Sequence, residues 1–235
     1  MATDAAQVQY PVSSSVQTFD IRVFRVTTTP LILSTTSDLD MAATGLISSF
    51  HSTTPIREFN VNRTALEIYS RGYTDKRIVG IDRNFADYRI GGRLSSPVRL
   101  PFRRLRYLDH KSYSGDVSGL IGESVFVYFL VEVMRLDRRY IQHLRPEKNA
   151  GFVTCDFLFL DFNNRLQSII PSYRNPLYAE VKSSTGKLSG NRVSHGLSQL
   201  KDTIGSWDAH GILALVEKNQ DRVGYNMYLV IVRGI

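Results

Sequence analysis

The second half of the chain alternates between segments with helical and with strand-like apolar patterns, and this alternation constrains the fold most. The apolar run from Val125 to Met134 is longer than an ordinary strand and has no internal turn signal, so it predicts a helix. Val193, Leu197, Leu200 and Ile204 recur at helical spacing and predict a second helix. The other apolar segments are short and predict buried strands. The expected order is a helix from 116 or 118 to about 135, strands at 152–162, 166–170 and 177–182, a helix at 193–204, and strands at 211–216 and 225–232. This order predicts an α/β fold with a mixed central sheet.

The first half of the chain has weaker patterns and carries no chemical motif. Residues 1–18 are rich in Ala, Ser, Gln, Val and Thr, and we expect them to form a flexible lead-in. Residues 19–33 contain many β-branched side chains in alternation, which predicts a strand, or a hairpin interrupted at Pro30. We therefore divide the chain into the lead-in, a β-rich accessory region for recognition or partner docking at 19–115, and a core at 116–235.

Composition narrows the class of protein. The chain has 235 residues, of which 43% are hydrophobic, so it is long enough for a buried core. Its single cysteine, Cys155, excludes a disulfide framework and any multi-cysteine metal site within one chain. No apolar run is long enough to span a bilayer, and the amino terminus lacks the pattern of a secretory signal. We expect a cytoplasmic protein without a membrane partner.

A net charge of +7 predicts a polyanionic partner, with nucleic acid first. The stretch from residue 99 to residue 111 interleaves Phe102 and Tyr107 with basic side chains, a combination that suits phosphates and unpaired bases. The alternative is a basic face that covers its own apolar stems. Lys187 and Arg192 extend this surface on the far side of the core. The predicted nucleic-acid contacts are Arg99, Arg103, Arg104, Arg106, Lys111, Lys187 and Arg192.

The most informative spacing in the sequence joins Asp156 to Glu180 and Lys182. Glu180 and Lys182 are two residues apart on one predicted strand, so their side chains leave the same face. If the strands are neighbours, Asp156 lies beside Glu180, and a divalent cation would relieve the repulsion between the two carboxylates. Mg²⁺ or Mn²⁺ held there would activate water for attack on a phosphodiester, with Lys182 assisting. The alternative is a surface ion pair worth about 0–1 kcal/mol.

The pattern Asp156…Glu180-Val181-Lys182 resembles the PD-(D/E)XK nuclease superfamily, the fold of many restriction endonucleases. The resemblance covers residues 116–235 and implies an αβββαβ core. It also implies a glutamate on the first helix and a glutamine on the second, which correspond to Glu123 and Gln199. Glu123 shares a helix face with apolar residues, so we expect it to point inward and to complete the metal ligands or hold a second metal.

Two features depart from the family pattern. Cys155 replaces the proline that often precedes the aspartate, and Thr203 replaces the tyrosine that follows the helix glutamine in some subgroups. Cys155 alternates with Asp156, so we expect it to face the opposite side of the sheet, in the core, rather than to act as a nucleophile. A second acidic residue on the same segment, Asp161, is expected to begin the turn at residues 163–164 rather than to bind metal.

These observations predict a Mg²⁺- or Mn²⁺-dependent nuclease, an endonuclease, that cuts DNA. Its predicted catalytic residues are Asp156, Glu180, Lys182, Glu123 and Gln199, of which Asp156, Glu180 and Glu123 bind the metal. The resemblance implies a role in nucleic-acid defence, with a helicase or ATPase as a separate subunit, and the protein as a possible homodimer. Two alternatives stay open: a catalytically silent nucleic-acid-binding or scaffolding subunit on the same fold, and an RNA-processing nuclease.

Overall fold

A single mixed sheet organises the computed structural model, which describes residues 18–32, 38–62, 65–66, 69, 115–144, 155–204 and 209–234. Within these ranges the sheet has eight strands, in the order β3-β1-β8-β7-β6-β5-β4, with β2 also pairing with β8. The pairs β1–β8, β2–β8 and β6–β7 are parallel, and the other pairs are antiparallel. The strands are β1 (Thr18–Arg25), β2 (Leu31–Ile32), β3 (Pro55–Asn62), β4 (Ile141–His143), β5 (Phe157–Phe159), β6 (Leu177–Ser184), β7 (His210–Lys218) and β8 (Gly224–Arg233).

Helices cover both faces of the sheet. They are α1 (Asp38–Ser49), α2 (Gly115–Tyr128), which continues as a π-helix over Phe129–Val133, and α3 (Gly190–Ile204). Helix α2 packs in one apolar cluster with Ala179 and Val181 of β6, whereas α1 and α3 pack in a second cluster on the other face. Because both faces are covered, β7 and β8 are buried over nearly their whole length, which explains their continuous apolar sequences.

The prediction of an α/β fold with a mixed sheet is confirmed. The helices at 116–135 and 193–204 and the strands at 177–182, 211–216 and 225–232 are all present. Of the predicted strand at 152–162, residues 152–154 lie outside the described residues, and within 155–162 only Phe157–Phe159 is paired, as β5. In the described residues none of the helices is long and apolar enough to cross a membrane.

The predicted strand at 166–170 is wrong. Residues Arg165–Ser168 form a 3₁₀ helix instead. The carboxylate of Asp161 accepts hydrogen bonds from the backbone N–H groups of Arg165 and Leu166, at 2.9 and 2.7 Å, and this bonding curls the chain after the turn. The strand that pairs with β5 on that side is β4, earlier in the chain.

The first part of the chain contributes strands to the same sheet. The segment 19–33 does not form a hairpin, because β1 and β2 both run parallel to β8. Strand β3 pairs with β1 and lies at the edge of the sheet. The boundary that we placed near residue 115 therefore separates two stretches of sequence that share one sheet in the described residues.

Candidate active site

Asp156 and Glu180 meet where the pairing of β5 with β6 ends. The last paired residues are Phe157 and Ala179. Beyond them, side chains replace the main-chain ladder: the N–H of Asp156 donates to Glu180 Oε2 at 3.1 Å, and the N–H of Val181 donates to Asp156 Oδ2 at 2.8 Å. Each carboxylate thus holds the backbone beside the other. The expected juxtaposition of Asp156 and Glu180 is present in the structure.

Lys182 is the third member of this group. Its Nζ lies 2.5 Å from Glu180 Oε1 and forms an ion pair with it. The Glu180 side chain is fully buried, and the Lys182 side chain is 19% exposed. Burial and the neighbouring charge of Asp156 raise the pKa of Glu180 to about 8, although Lys182 acts in the opposite direction. A carboxyl group with this pKa changes its charge close to neutral pH.

Helix α3 forms the cover over this group. A Cβ atom on Gly196 would lie 3.0 Å from Lys182 Cγ and 2.6 Å from Leu213 Cδ1, so only glycine allows the helix to approach so closely. His195 precedes it on the helix surface. Burial and the charge of Lys182 lower the pKa of His195, which favours a neutral imidazole beside the lysine.

Gln199 and Thr203 lie one and two turns further along α3. The side-chain Oε1 of Gln199 is buried. The Thr203 hydroxyl donates to the carbonyl of Gln199 and accepts a hydrogen bond from the N–H of Cys155, both at 2.8 Å. Thr203 therefore fixes the backbone immediately before Asp156.

Cys155 is fully buried and belongs to the core, as expected. The expectation that it faces away from the site is wrong, because the chain bends at Asp156 and breaks the strand alternation. Cys155 packs in the α3-side cluster, and burial and the charge of Glu180 raise the pKa of its thiol far above the usual range. A thiol in this environment is not a nucleophile.

Glu123 does not join the group. Helix α2 packs on the opposite face of the sheet, where a Cβ atom on Gly122 would lie 2.6 Å from Ser183 Cβ and 3.1 Å from Val181 Cγ1. The described residues contain no group of three or more His, Cys, Asp or Glu side chains that could hold a metal ion. The inward face of α2 packs in the apolar cluster that contains Ala179 and Val181, whereas Glu180 lies on the opposite face of the sheet, beneath α3.

Asp156 and Glu180 fit a magnesium or manganese ion as a two-carboxylate site. Mg²⁺ is commonly held by one or two carboxylates, with water and substrate phosphates as the remaining ligands. Glu180 Oε1 is buried and faces the ammonium of Lys182, so this oxygen already lies beside one cation. Binding of a metal by Asp156 and Glu180 stays a prediction.

The predicted basic surface is described in part. Lys187 is exposed in the loop after β6, and the Arg192 guanidinium on α3 donates to the carbonyl of Ser183, next to Lys182. Their contact with nucleic acid stays a prediction. Five predicted contacts lie outside the described residues: Arg99, Arg103, Arg104, Arg106 and Lys111.

Gln199 was predicted as a site residue, but the stripe that it forms with His195 and Thr203 on α3 was not predicted. Their spacing of four residues places them along one helix face, and this signal was present in the sequence. Asp161 behaves as expected: it is buried and its oxygens accept hydrogen bonds from two backbone N–H groups and the Tyr173 hydroxyl, so it anchors a turn.

No family model matches the chain, and none of the curated proteins or solved structures compared with it matches either. The resemblance to PD-(D/E)XK nucleases therefore stays a prediction, carried by the residues themselves.

Proposed function

We propose that this chain is a metal-dependent nuclease whose active site is Asp156, Glu180 and Lys182. One observation carries the proposal. The carboxylates of Asp156 and Glu180 and the ammonium of Lys182 lie together, and the Glu180 side chain is fully buried. Burying a carboxylate beside another carboxylate costs free energy, and apolar side chains would fill this space more favourably. Arrangements of this kind are typical of functional sites.

The residues of the site divide the chemistry between them. Asp156 and Glu180 would hold Mg²⁺ or Mn²⁺, which when bound lowers the pKa of a water molecule and stabilises negative charge on a phosphate. Lys182, at 2.5 Å from Glu180, would orient the attacking water or neutralise charge on the phosphate oxygens. Thr203 acts as a positioning residue, because it fixes the backbone next to Asp156.

The order of elements supports the same proposal. From residue 115 onward the described elements are α2, β4, β5, β6, α3 and β7, with β8 following. This order is compatible with the αβββαβ core that the resemblance implies, and it puts the aspartate beside β5, the Glu-x-Lys pair on β6 and the glutamine on α3. The net charge of +7 favours nucleic acid as substrate, and we propose DNA.

A cleavage assay tests this proposal. Supercoiled plasmid, linear duplex, single-stranded DNA and single-stranded RNA are incubated with the protein in Mg²⁺, Mn²⁺ or EDTA. We expect metal-dependent cutting of DNA that falls by at least about 100-fold in Asp156→Asn, Glu180→Gln and Lys182→Gln, the scale of one lost catalytic group. Asp202→Asn, an exposed acid on α3, is the matched control and should cut normally. Cutting that persists in all three site variants would refute the assignment, and cutting of RNA alone would reassign the substrate.

One observation favours the second candidate function, a nucleic-acid-binding subunit that does not cut. The two carboxylates are not joined by a third metal-ligating side chain within the described residues. That candidate predicts salt-sensitive binding of DNA, no cutting with either metal, and unchanged binding in Glu180→Gln.

A further inference from the structure

A polar pocket lies at the other end of β5 from Asp156. It has a volume of about 370 Å³, within the size range of small-ligand pockets, and we call it the arginine pocket. Its chemistry-bearing residues are Arg135, Arg139, Tyr140, Phe162 and Arg165, with Asp137 and Asp161 beside them. Asp161 follows Asp156 by five residues, so the Cα atoms of these two residues are at most about 17 Å apart along the strand.

The pocket is lined by three guanidinium groups and two carboxylates. Arg139 pairs with Asp137: the backbone N–H and the Nε of Arg139 donate hydrogen bonds to the Asp137 carboxylate, at 3.0 and 2.9 Å. The Arg139 side chain of this pair is exposed to solvent. The Asp161 carboxylate is buried and hydrogen-bonded to the backbone, so it does not contribute negative charge at the surface of the pocket. Arg135 and Arg165 are solvent-exposed. The surface of the pocket therefore presents mainly cations and hydrogen-bond donors.

Arg135 occupies a backbone conformation that favours glycine. Its φ is 61°, in the left-handed region, just after the π-helix ends. Glycine is the usual residue at such a helix end, and an arginine there costs about 1 kcal/mol. Its side chain forms an ion pair with Glu132 at 3.4 Å and is 71% exposed. Stability of the fold does not account for an arginine at this position.

An exposed aromatic ring stands beside these arginines. Phe162 is 59% exposed, and it is the one aromatic among the exposed large hydrophobic residues of the described chain. It contacts Tyr140 edge to face, with ring centroids 4.8 Å apart, and the Arg139 guanidinium lies 5.7 Å from the Tyr140 ring. Arginines grip phosphate, and an exposed ring offers a surface on which a base stacks.

The loop that carries Phe162 and Arg165 is held in place before any ligand arrives. Asp161 binds the backbone N–H groups of Arg165 and Leu166, and Asn175 accepts the Asp161 N–H at 2.9 Å. A preformed pocket loses less conformational entropy when it binds.

We propose that the arginine pocket binds a nucleotide, with the phosphate on Arg135 and Arg165 and the base on Phe162. The inference rests on the proposed function, because it assigns the pocket to an unpaired nucleotide of the strand that the active site cuts. A free mononucleotide offers the same chemistry, and competition distinguishes the two sources.

Fluorescence anisotropy with a labelled single-stranded DNA in EDTA tests the proposal without cleavage. We expect Phe162→Ala to weaken binding by about five-fold or more, the scale of one stacked base. Arg165→Gln should weaken binding and reduce the slope of log K against log salt by about 0.7, the effect of one phosphate contact on a single strand. Val223→Ala, equally exposed at 59%, and Arg222→Gln, also exposed, are the matched controls and should bind normally.

Arg135→Gly separates binding from folding. Glycine suits the left-handed conformation, so this variant should melt no lower than wild type while it binds DNA more weakly. Equal binding by wild type, Phe162→Ala and Arg165→Gln would overturn the proposal, as would a wild type that binds no strand. If a mononucleotide displaces the labelled DNA at concentrations far below those at which an unlabelled strand does so, the pocket is assigned to the free nucleotide.

The two proposals fail in different ways. If Phe162→Ala binds weakly but the wild type never cuts, the pocket stands and the nuclease assignment fails. If the wild type cuts and Phe162→Ala cuts with unchanged KM, the pocket fails and the nuclease assignment stands. If both stand, Phe162→Ala should raise KM and leave kcat near the wild-type value.

Discussion

Replacing the buried Glu180 carboxyl by an amide should change how the stability of the protein depends on pH. The pKa of this carboxyl rises from 4.5, its ordinary value, to about 8 in the folded protein. Between these two values the folded protein keeps a proton that the unfolded chain has released. The free energy of unfolding therefore falls as the pH rises through this window, and the stabilisation is present in full only below about pH 4.5.

The magnitude follows from the size of the window. At about 1.4 kcal/mol for each pH unit, the difference between 4.5 and 8 corresponds to at most about 5 kcal/mol. Glu180→Gln cannot ionise but keeps an oxygen that accepts the hydrogen bond from the Asp156 N–H. The stability of the variant relative to wild type should therefore rise steadily from pH 5 to pH 8.

Urea unfolding followed by circular dichroism in EDTA, at several values of pH, measures this difference. Ionisable groups remote from Glu180 contribute equally to both proteins, so the difference between the two curves reports Glu180 together with its coupled neighbours Asp156 and Lys182. Asp202→Asn controls for the loss of a carboxylate at an exposed position and should run parallel to wild type. Parallel curves for Glu180→Gln and wild type would show that Glu180 is not buried as an ionisable group. Adding Mg²⁺ should flatten the wild-type curve, because a bound cation favours the ionised carboxylate.

Three further predictions concern residues that hold the active site or the arginine pocket in place. Asp161→Ala removes the acceptor of two backbone N–H groups and should lower the free energy of unfolding by about 2–4 kcal/mol, measured by urea unfolding. Gly196→Ala should cost about 1–3 kcal/mol because the new Cβ meets core side chains, whereas Gly45→Ala, on α1 with open space around it, should stabilise by about 0.5–1 kcal/mol; equal thermal melts would contradict the packing of α3. Thr203→Val removes the acceptor of the Cys155 N–H and should lower kcat with little change in KM, while Thr203→Ser should restore it.

The periodicity of the sequence predicted the elements in which one structural pattern dominates. Strand β8 is a continuous apolar run, and helix α3 has apolar residues at regular helical spacing. Because both faces of the sheet are covered, these patterns agree with the observed burial. The neighbouring positions of Asp156 and Glu180 were predicted for a similar reason, because two adjacent strands fix which side chains meet.

The predictions from the sequence were wrong where a local hydrogen bond overrides the apolar pattern. The apolar residues Leu166, Ile169 and Ile170 are buried as a strand would bury them, but Asp161 captures the preceding N–H groups and forms a 3₁₀ turn. The bend at Asp156 likewise moves Cys155 to the side of the sheet that faces α3. Neither effect leaves a periodic signal.

The position of Glu123 and the arginine pocket could not be read from spacing alone. Helix periodicity shows that Glu123 shares a face with apolar residues, but a three-layer fold has two cores, and α2 packs in the one away from Glu180. The arginine pocket joins the end of the π-helix to the loop after β5. Such a juxtaposition depends on the tertiary fold rather than on any local pattern.

Binding of Mn²⁺, followed by the electron paramagnetic resonance signal of the free ion near pH 8, tests most directly whether Asp156 and Glu180 hold one divalent cation together. We predict a site in the wild type that weakens by at least about ten-fold in Asp156→Asn and in Glu180→Gln, since changes to outer-shell partners alone cost about 10–100-fold. Asp202→Asn should bind as wild type does. Equal affinity in the wild type and both amide variants would contradict the account.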